Sequence, residues 1–353
     1  MHTPGHNDCG PGRCVTKERN QASWNAEFRT VTALRGLASL AVCLFHLGNI
    51  QSVGWTGQGF LGVQCFFVIS GFVIPYSLHR AKYRESEFWR YLARRAVRID
   101  PPYLASIVLA IATGLLVAAT PWYRGQEVHF TLPQVAAHLG YVNNFLGFKP
   151  ISPVYWTLGI EFQYYILVGL FCGALLRANR LLVFAIAGAS IALNHWLPAS
   201  FDHRYLILQW MTIFLAGITV ASFRCGLMSR MEAVIRVVAL CATAAFIVPK
   251  PAMALVAFGT ALLILFTDWS SRPLDWLGRM SYSLYLIHVP LGERLMAIGA
   301  RLVSSPVAVS LWLLMSLALT LVAAALFALV IEAPAIRWAR RISYHREPAD
   351  LRR

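Results

Sequence analysis

Arg35 and His46 share one apolar run, Phe28-Arg-Thr-Val-Thr-Ala-Leu-Arg-Gly-Leu-Ala-Ser-Leu-Ala-Val-Cys-Leu-Phe-His46. Eleven residues separate them. At about 100° and 1.5 Å per residue they leave one face of a helix roughly 16 Å apart, too far for a direct ion pair. A guanidinium grips phosphate or carboxylate in a planar fork, and an imidazole accepts a proton near neutral pH. A face with anion binding at one end and a base at the other suits transfer chemistry on a long anionic ligand. Ionisable groups in a run that could cross a bilayer mark a functional site by default.

Other residues could join that face. Glu161 lies in Val154-Tyr-Trp-Thr-Leu-Gly-Ile-Glu-Phe-Gln-Tyr-Tyr165 and is expected at a depth close to that of His46. It reads either as the carboxylate that orients His46, or as a structural ion pair or a protonated, hydrogen-bonded carboxyl. Arg90, Arg94 and Arg98 recur every four residues with Arg95 beside them. They form either a phosphate-gripping fork or a basic helix lying on anionic lipid. Ser281, Tyr285 and His288 fall at i, i+4 and i+7, a polar stripe that either lines a cavity or bonds helices together. Trp156, with Trp55, Trp122, Tyr123 and Trp210, could stack on sugar rings or belong to an interfacial belt. Glu332 reads as structural, and His138 and His195 have no nameable companions.

The elements that must position these residues are membrane helices. The 353-residue chain is 58% hydrophobic and only 13% charged, against about a quarter charged in soluble domains. Its mean hydropathy is +0.57. The fold class is all-α, a polytopic membrane protein. Ten spans are expected, near 30–50, 60–78, 101–120, 153–176, 181–198, 204–223, 233–249, 252–268, 280–300 and 306–331. A semi-apolar piece at 132–147 reads as interfacial or re-entrant.

Charge orients the bundle. With the N-terminus inside, 24 of the 31 Lys and Arg residues fall in the tail, alternate loops and C-terminal segment, so both termini are expected in the cytoplasm. The same distribution sets aside a nucleic-acid partner despite the net charge of +15. The expected organisation is a disordered tail over 1–28, a transmembrane domain over 29–341 and a cytoplasmic tail over 342–353. No apolar leader precedes the first span. Cys9 and Cys14 beside His6 lack a fourth ligand and typical spacing, so no metal site is expected.

Six ordered motifs resemble the acyltransferase-3 family of bacterial membrane O-acyltransferases. They are Arg-x10-His, Gly62-Val-x-x-Phe-Phe-Val-Ile-Ser-Gly-Phe72, Arg94-Arg-x-x-Arg-Ile-x-Pro101, Tyr155-Trp-Thr-Leu-x-x-Glu-x-x-Tyr-Tyr165, Ser281-Tyr-Ser-Leu-Tyr-Leu-Ile-His-x-Pro290 and Glu332-x-Pro334. The resemblance covers roughly residues 28 to 341. It implies a multi-pass enzyme of the bacterial inner membrane that takes acyl groups, usually acetyl, from cytoplasmic acyl-CoA. At the matching positions Arg35 and His46 are the family's essential arginine and histidine. Gln64 stands where many members have Asp, so any acidic role there is lost or passes to Glu161. Some relatives carry a C-terminal SGNH esterase-like domain; here transfer is expected to finish within the membrane domain.

The expected reaction is acyl transfer from acyl-CoA, without a metal, to a hydroxyl of a cell-surface glycan or its lipid-linked precursor. His46 is the general base, and Arg35, Arg90, Arg94, Arg95 and Arg98 bind the donor. Trp156, Ser281, Tyr285 and His288 line the acceptor side. The alternatives are a macrolide or lipid acceptor, or a transporter that moves its substrate without covalent chemistry.

Overall fold

The computed structural model describes residues 28–120, 130–198 and 202–344, and among them every regular element is helical. The tail and the far C-terminal residues, together with Trp122 and Tyr123, lie outside the described residues. Helix α1 (Arg29–Asn49) is followed by two short 3-10 turns and α2 (Gly62–Arg80). Next come α3 (Phe88–Ala118), the short α4 (Leu132–Leu139), α5 (Trp156–Arg177), α6 (Arg180–Trp196) and α7 (Ile207–Arg224). The chain continues through α8 (Arg230–Ala245), α9 (Pro251–Phe266), α10 (Arg272–Arg279) and α11 (Ser281–Ile287). A π-helical turn, His288–Glu293, leads into α12 (Arg294–Leu302). Then α13 (Pro306–Phe327) runs through a second π turn, Ala328–Glu332, into α14 (Ala333–Arg340).

All ten expected spans are helical. Six segments, Arg29–Asn49, Gly54–Arg80, Glu85–Ala118, Trp156–Arg177, Ile207–Arg224 and Pro306–Arg340, are long and apolar enough to cross a membrane. Arg180–Trp196 and Pro251–Phe266 are apolar but shorter. The piece at 132–147 is no span, since α4 has eight residues, about 12 Å. Its continuation folds back onto the bundle: Tyr141, at φ +57°, stacks between Tyr103 and Phe162 and donates to Asp100 at 2.8 Å. Backbone that is not helical is tolerated at membrane depth where protein buries it.

The core sits around α7, which is apolar on every side and buried along most of its length. It crosses α2 at backbone distance. A Cβ on Gly217 would lie 2.3 Å from the Val68 carbonyl oxygen, and one on Gly71 would lie 2.5 Å from that of Phe214. Small residues permit such approach between membrane helices. By contrast, α13 buries one narrow stripe, Leu313, Ser316, Thr320 and Ala324, and exposes Leu311, Leu314, Leu319 and Val322. That is the pattern of a helix facing lipid.

Two elements depart from expectation in ways that shape the site. The arginine-rich segment and the third span are one 31-residue helix running through Pro101 and Pro102. These prolines leave the Val97 and Arg98 carbonyls without their i+4 donors, and Tyr282 Oη donates to the adjacent Ile99 carbonyl at 3.1 Å. The ninth expected span is not one α-helix, because the π turn containing Pro290 divides it into α11 and α12. α11 and α1 run in the same direction, with Ser281 beside Arg35 and Glu293 beside His46.

Candidate active site

Where α1, α2, α3, α5 and α11 converge they leave a cavity that opens to solvent, about 990 Å³ of empty space with the open solvent at its mouth included. Three guanidiniums line it: Arg35 from α1, and Arg95 and Arg98 from α3. Arg35 Nε donates to Ser281 Oγ at 3.2 Å. The Arg95 guanidinium lies over the Tyr91 and Tyr165 rings, 5.6 and 5.5 Å from their centroids, and its buried Nε has no hydrogen-bond partner. Two carboxylates share the cavity and are engaged elsewhere. Glu161 accepts from Tyr165 Oη at 2.6 Å and Ser70 Oγ at 3.2 Å. Glu332 accepts from the Ser283 amide at 3.2 Å and its hydroxyl at 2.5 Å. Among the described residues no carboxylate forms an ion pair with any of the three arginines. Three guanidiniums against two carboxylates leave the cavity a net positive charge, which an anionic ligand would balance.

The other end of α1 is built differently. His46 Nδ1 lies 2.9 Å from Glu293 Oε1, and the side chains are 18% and 24% exposed. A carboxylate accepts, so Nδ1 carries a proton and Glu293 fixes the orientation of the ring. The imidazole of His288 lies 5.1 Å from that of His46, centroid to centroid. Both His288 and Glu293 belong to the π turn. Bonding from i to i+5 widens the helix, so residues five apart come toward a common face instead of splaying as they do in an α-helix.

Tyr285 separates the two ends. It lines the cavity, and its hydroxyl pairs with Thr157 Oγ1 at 2.6 Å and reaches the Val154 carbonyl at 3.2 Å. Its ring packs against Phe66 on one side and His288 on the other, with centroids 5.7 and 5.9 Å away. His46, His288 and Glu293 do not line the cavity; they lie beyond this wall.

The structure thus gathers Arg35, Arg95, Arg98, Glu161, Ser281 and Tyr285 around one cavity, and His46 and His288 into a second centre. It does not gather Arg90 or Arg94. Arg94 turns to the far C-terminal segment, 4.8 Å from the Tyr344 ring and 3.5 Å from the Ile342 carbonyl. The residues that share the cavity are spaced by three, Arg95 and Arg98, because the face is set by the whole of α3. Trp156 is off the cavity too, in an aromatic cluster with Phe67 and Trp210. Glu161 does not contact His46: its carboxylate is held by Tyr165 and Ser70, and the carboxylate against His46 Nδ1 is that of Glu293. Gln64 is buried outside the cavity, its Oε1 unpartnered.

Glu293 escaped the sequence reading although it carries the usual signal, a carboxylate inside an expected span. On α-helical geometry it points away from His288, and only the π turn reverses that. His138, which had no nameable companion, pins the folded-back segment: Nδ1 donates to the Gln134 carbonyl at 3.0 Å and Nε2 accepts from the Ile151 amide at 3.1 Å.

A family model described as an acyltransferase domain matches residues 28–331, the stretch that carries both centres. The chain belongs to the acyltransferase-3 family. Among curated members, the putative membrane-bound transacylase BcsY of Komagataeibacter xylinus is 29% identical over 315 residues, covering 79% of this chain and 77% of its own. The O-acetyltransferase OatA of Staphylococcus aureus is 32% identical over 157 residues, 38% of this chain and 23% of its own. The putative acetyltransferase ORF330 of Acidianus two-tailed virus is 30% identical over 142 residues, 40% of this chain and 39% of its own. No solved structure matches. This protein is therefore a membrane acyltransferase of that family, with an arginine-lined cavity and a histidine centre at the two ends of α1.

Proposed function

We propose that the protein moves an acyl group, acetyl foremost, from acyl-CoA to a hydroxyl of a cell-surface glycan or its lipid-linked precursor at the bacterial inner membrane. The observation that carries the donor assignment is the set of three unpaired guanidiniums, Arg35, Arg95 and Arg98, in one cavity. Coenzyme A is a polyanion with its thioester at the end of a long flexible arm. Phosphates held by the arginines leave the arm to run outward beside α1, past Tyr285, over the ~16 Å rise to His46. There His46 Nε2, oriented through Nδ1 by Glu293, takes the proton of the acceptor hydroxyl. The hydroxyl oxygen attacks the thioester carbonyl, the C–S bond breaks, and the departing thiolate takes the proton from His46. Cytoplasmic arginines and a deep histidine fit a donor approaching from the cytoplasm, with both termini on that side.

The test uses purified protein in lipid nanodiscs. Desulfo-CoA should bind the wild type and His46→Ala alike, whereas Arg98→Ala should bind it weakly. Acetyl-CoA with glycerol as a model hydroxyl acceptor should release free thiol only when His46 is present. Failure of the wild type to bind desulfo-CoA overturns the donor assignment. Thiol release at the wild-type rate by folded His46→Ala overturns the base. Movement of a glycan across vesicle membranes without thiol release would make the protein a transporter instead.

A further inference from the structure

Glu293 reaches His46 from another helix, and two side chains hold the backbone just beyond it. Trp312 of α13 donates from Nε1 to the Leu295 carbonyl at 2.8 Å. Gln51, just past the end of α1, donates from Nε2 to the Met296 carbonyl at 3.2 Å. Leu295 and Met296 are the second and third residues after the π turn. Successive residues of an α-helix are turned by about 100°, so the two donors meet α12 from different sides.

Neither bond is needed to complete the helix. A carbonyl inside an α-helix accepts from the amide four residues on, Gly299 for Leu295 and Ala300 for Met296. The indole is a second donor to Leu295, and the sequence makes room for it. A Cβ on Gly299 would lie 2.2 Å from Trp312 Nε1, so a side chain there would push the indole away. The residue before Glu293 is enclosed in the same manner. A Cβ on Gly292 would lie 2.5 Å from Leu47 Cδ1 of α1 and 3.0 Å from Thr320 Oγ1 of α13.

Such fixing has a use. Glutamate has three side-chain torsions, the pair with His46 is partly exposed, and a π turn is a rare form that recurs at functional sites. A reacting geometry displaced by about 1 Å can lose roughly 10²-fold in rate. The carboxylate must therefore be placed by the backbone that carries it.

Resting on the reading of Glu293 as the group that orients His46, we infer that Trp312 and Gln51 are positioning residues. Through the Leu295 and Met296 carbonyls they fix α12, and with it the Glu293 carboxylate, against His46 Nδ1. Gln51 ties α12 to the helix that carries His46, and Trp312 stops α12 from turning about that tie. A helix that otherwise faces lipid, α13, thereby takes part in the chemistry.

The experiment is a double-mutant cycle on the full-length protein in lipid nanodiscs. Thiol release from acetyl-CoA with glycerol gives the rate, in single turnovers with excess protein so that slow variants are still timed, and desulfo-CoA gives donor affinity. Trp312→Phe keeps a packed ring and removes the N–H; Gln51→Leu keeps the bulk and removes the amide. Each should lower the rate roughly 3- to 10-fold, the size of one lost hydrogen bond, with the desulfo-CoA Kd unchanged. In the Glu293→Ala background neither should cost anything further, because no carboxylate is left to place. A role in helix packing alone would cost the same factor in both backgrounds, and that additivity overturns the inference. So does an unchanged rate in folded Trp312→Phe. Without any substrate, the proton NMR signal of His46 Nδ1–H, donated to Glu293, should move upfield in both variants; an unmoved signal also overturns it. Glu293→Ala reacting at the wild-type rate would remove the reading of Glu293 and the inference with it. Additivity beside an impaired Glu293→Ala rejects the inference alone.

Discussion

The two ends of α1 hold similar numbers of polar groups and treat them in opposite ways. In the arginine cavity three cations outnumber two carboxylates, which are held by hydroxyl and amide donors and not in direct ion pairs. The histidine centre is tight, and both imidazoles have a nitrogen fixed by a partner. A site that leaves charge unsatisfied is waiting for a ligand to supply the balance. A site that fixes its tautomers is ready for a proton. The contrast separates binding from chemistry along one helix, and mutations should separate them in the same way.

The largest effect is expected at His46. His46→Ala should lower turnover by about 10²–10⁴-fold, the usual contribution of a general base, with desulfo-CoA affinity unchanged. Glu293→Gln should lower turnover less, since an amide still accepts from Nδ1 but offers no charge to the imidazolium. Measured kcat and Kd would show it: a loss confined to Kd in either variant would break the division between the two ends.

Next come the arginines. Arg98→Ala or Arg95→Ala should weaken desulfo-CoA binding roughly 10- to 100-fold, the size of a lost charge-assisted hydrogen bond, while kcat at saturating donor changes little. Arg90→Ala and Arg94→Ala should stay within about threefold, because neither lines the cavity. Equal losses at all four positions would return the argument to a diffuse basic helix on lipid. Tyr285→Phe sharpens the boundary itself. Removing the hydroxyl that pairs with Thr157 should loosen the wall between the ends, raising the rate with longer acyl-CoA chains relative to acetyl-CoA by a few-fold.

Why the two ends were unequally legible follows from the same geometry. Arg35 and His46 share a face of a regular α-helix, so spacing alone placed them. Arg95 and Arg98 were visible as residues, but the choice of Arg94 or Arg95 depends on how α3 rotates in the bundle. That rotation is set by packing against α5, α11 and α14, which no local pattern encodes. Glu293 needed a π turn, which contains Pro290 and Gly292 and which the periodicity of the sequence does not announce. Glu161 misled for a related reason: it was paired with His46 on expected depth alone, and similar expected depth does not mean contact. The all-helical, membrane-spanning character was readable from hydropathy, and six of the helical segments are long and apolar enough to cross a membrane. Their continuity was not, since Pro101 and Pro102 stay inside a helix and 288–293 interrupts one.

The smallest expected effect lies outside both ends, in the folded-back segment, and works through pH. His138 is fully buried in α4 and links it to Ile151 through Nε2, which must be unprotonated to accept the amide. Burial holds its pKa below the ordinary 6.5. The unfolded segment therefore binds the proton more readily than the folded one. The stabilisation is complete above pH 6.5 and is lost as pH falls from there through the folded value, with a limiting slope of about 1.4 kcal/mol per pH unit. Protonation sets N–H against N–H at Ile151 and frees the loop that carries Tyr141 out of its stack. Hydrogen exchange at the Ile151 amide, corrected for intrinsic pH dependence, should slow between pH 5 and pH 7 in the wild type. In His138→Gln the protection should be lower and flat across that range. Because α1 and its two centres do not touch His138, acetyl-CoA turnover at pH 7.5 should change little in that variant, and a large loss would tie the folded-back segment to the histidine centre after all.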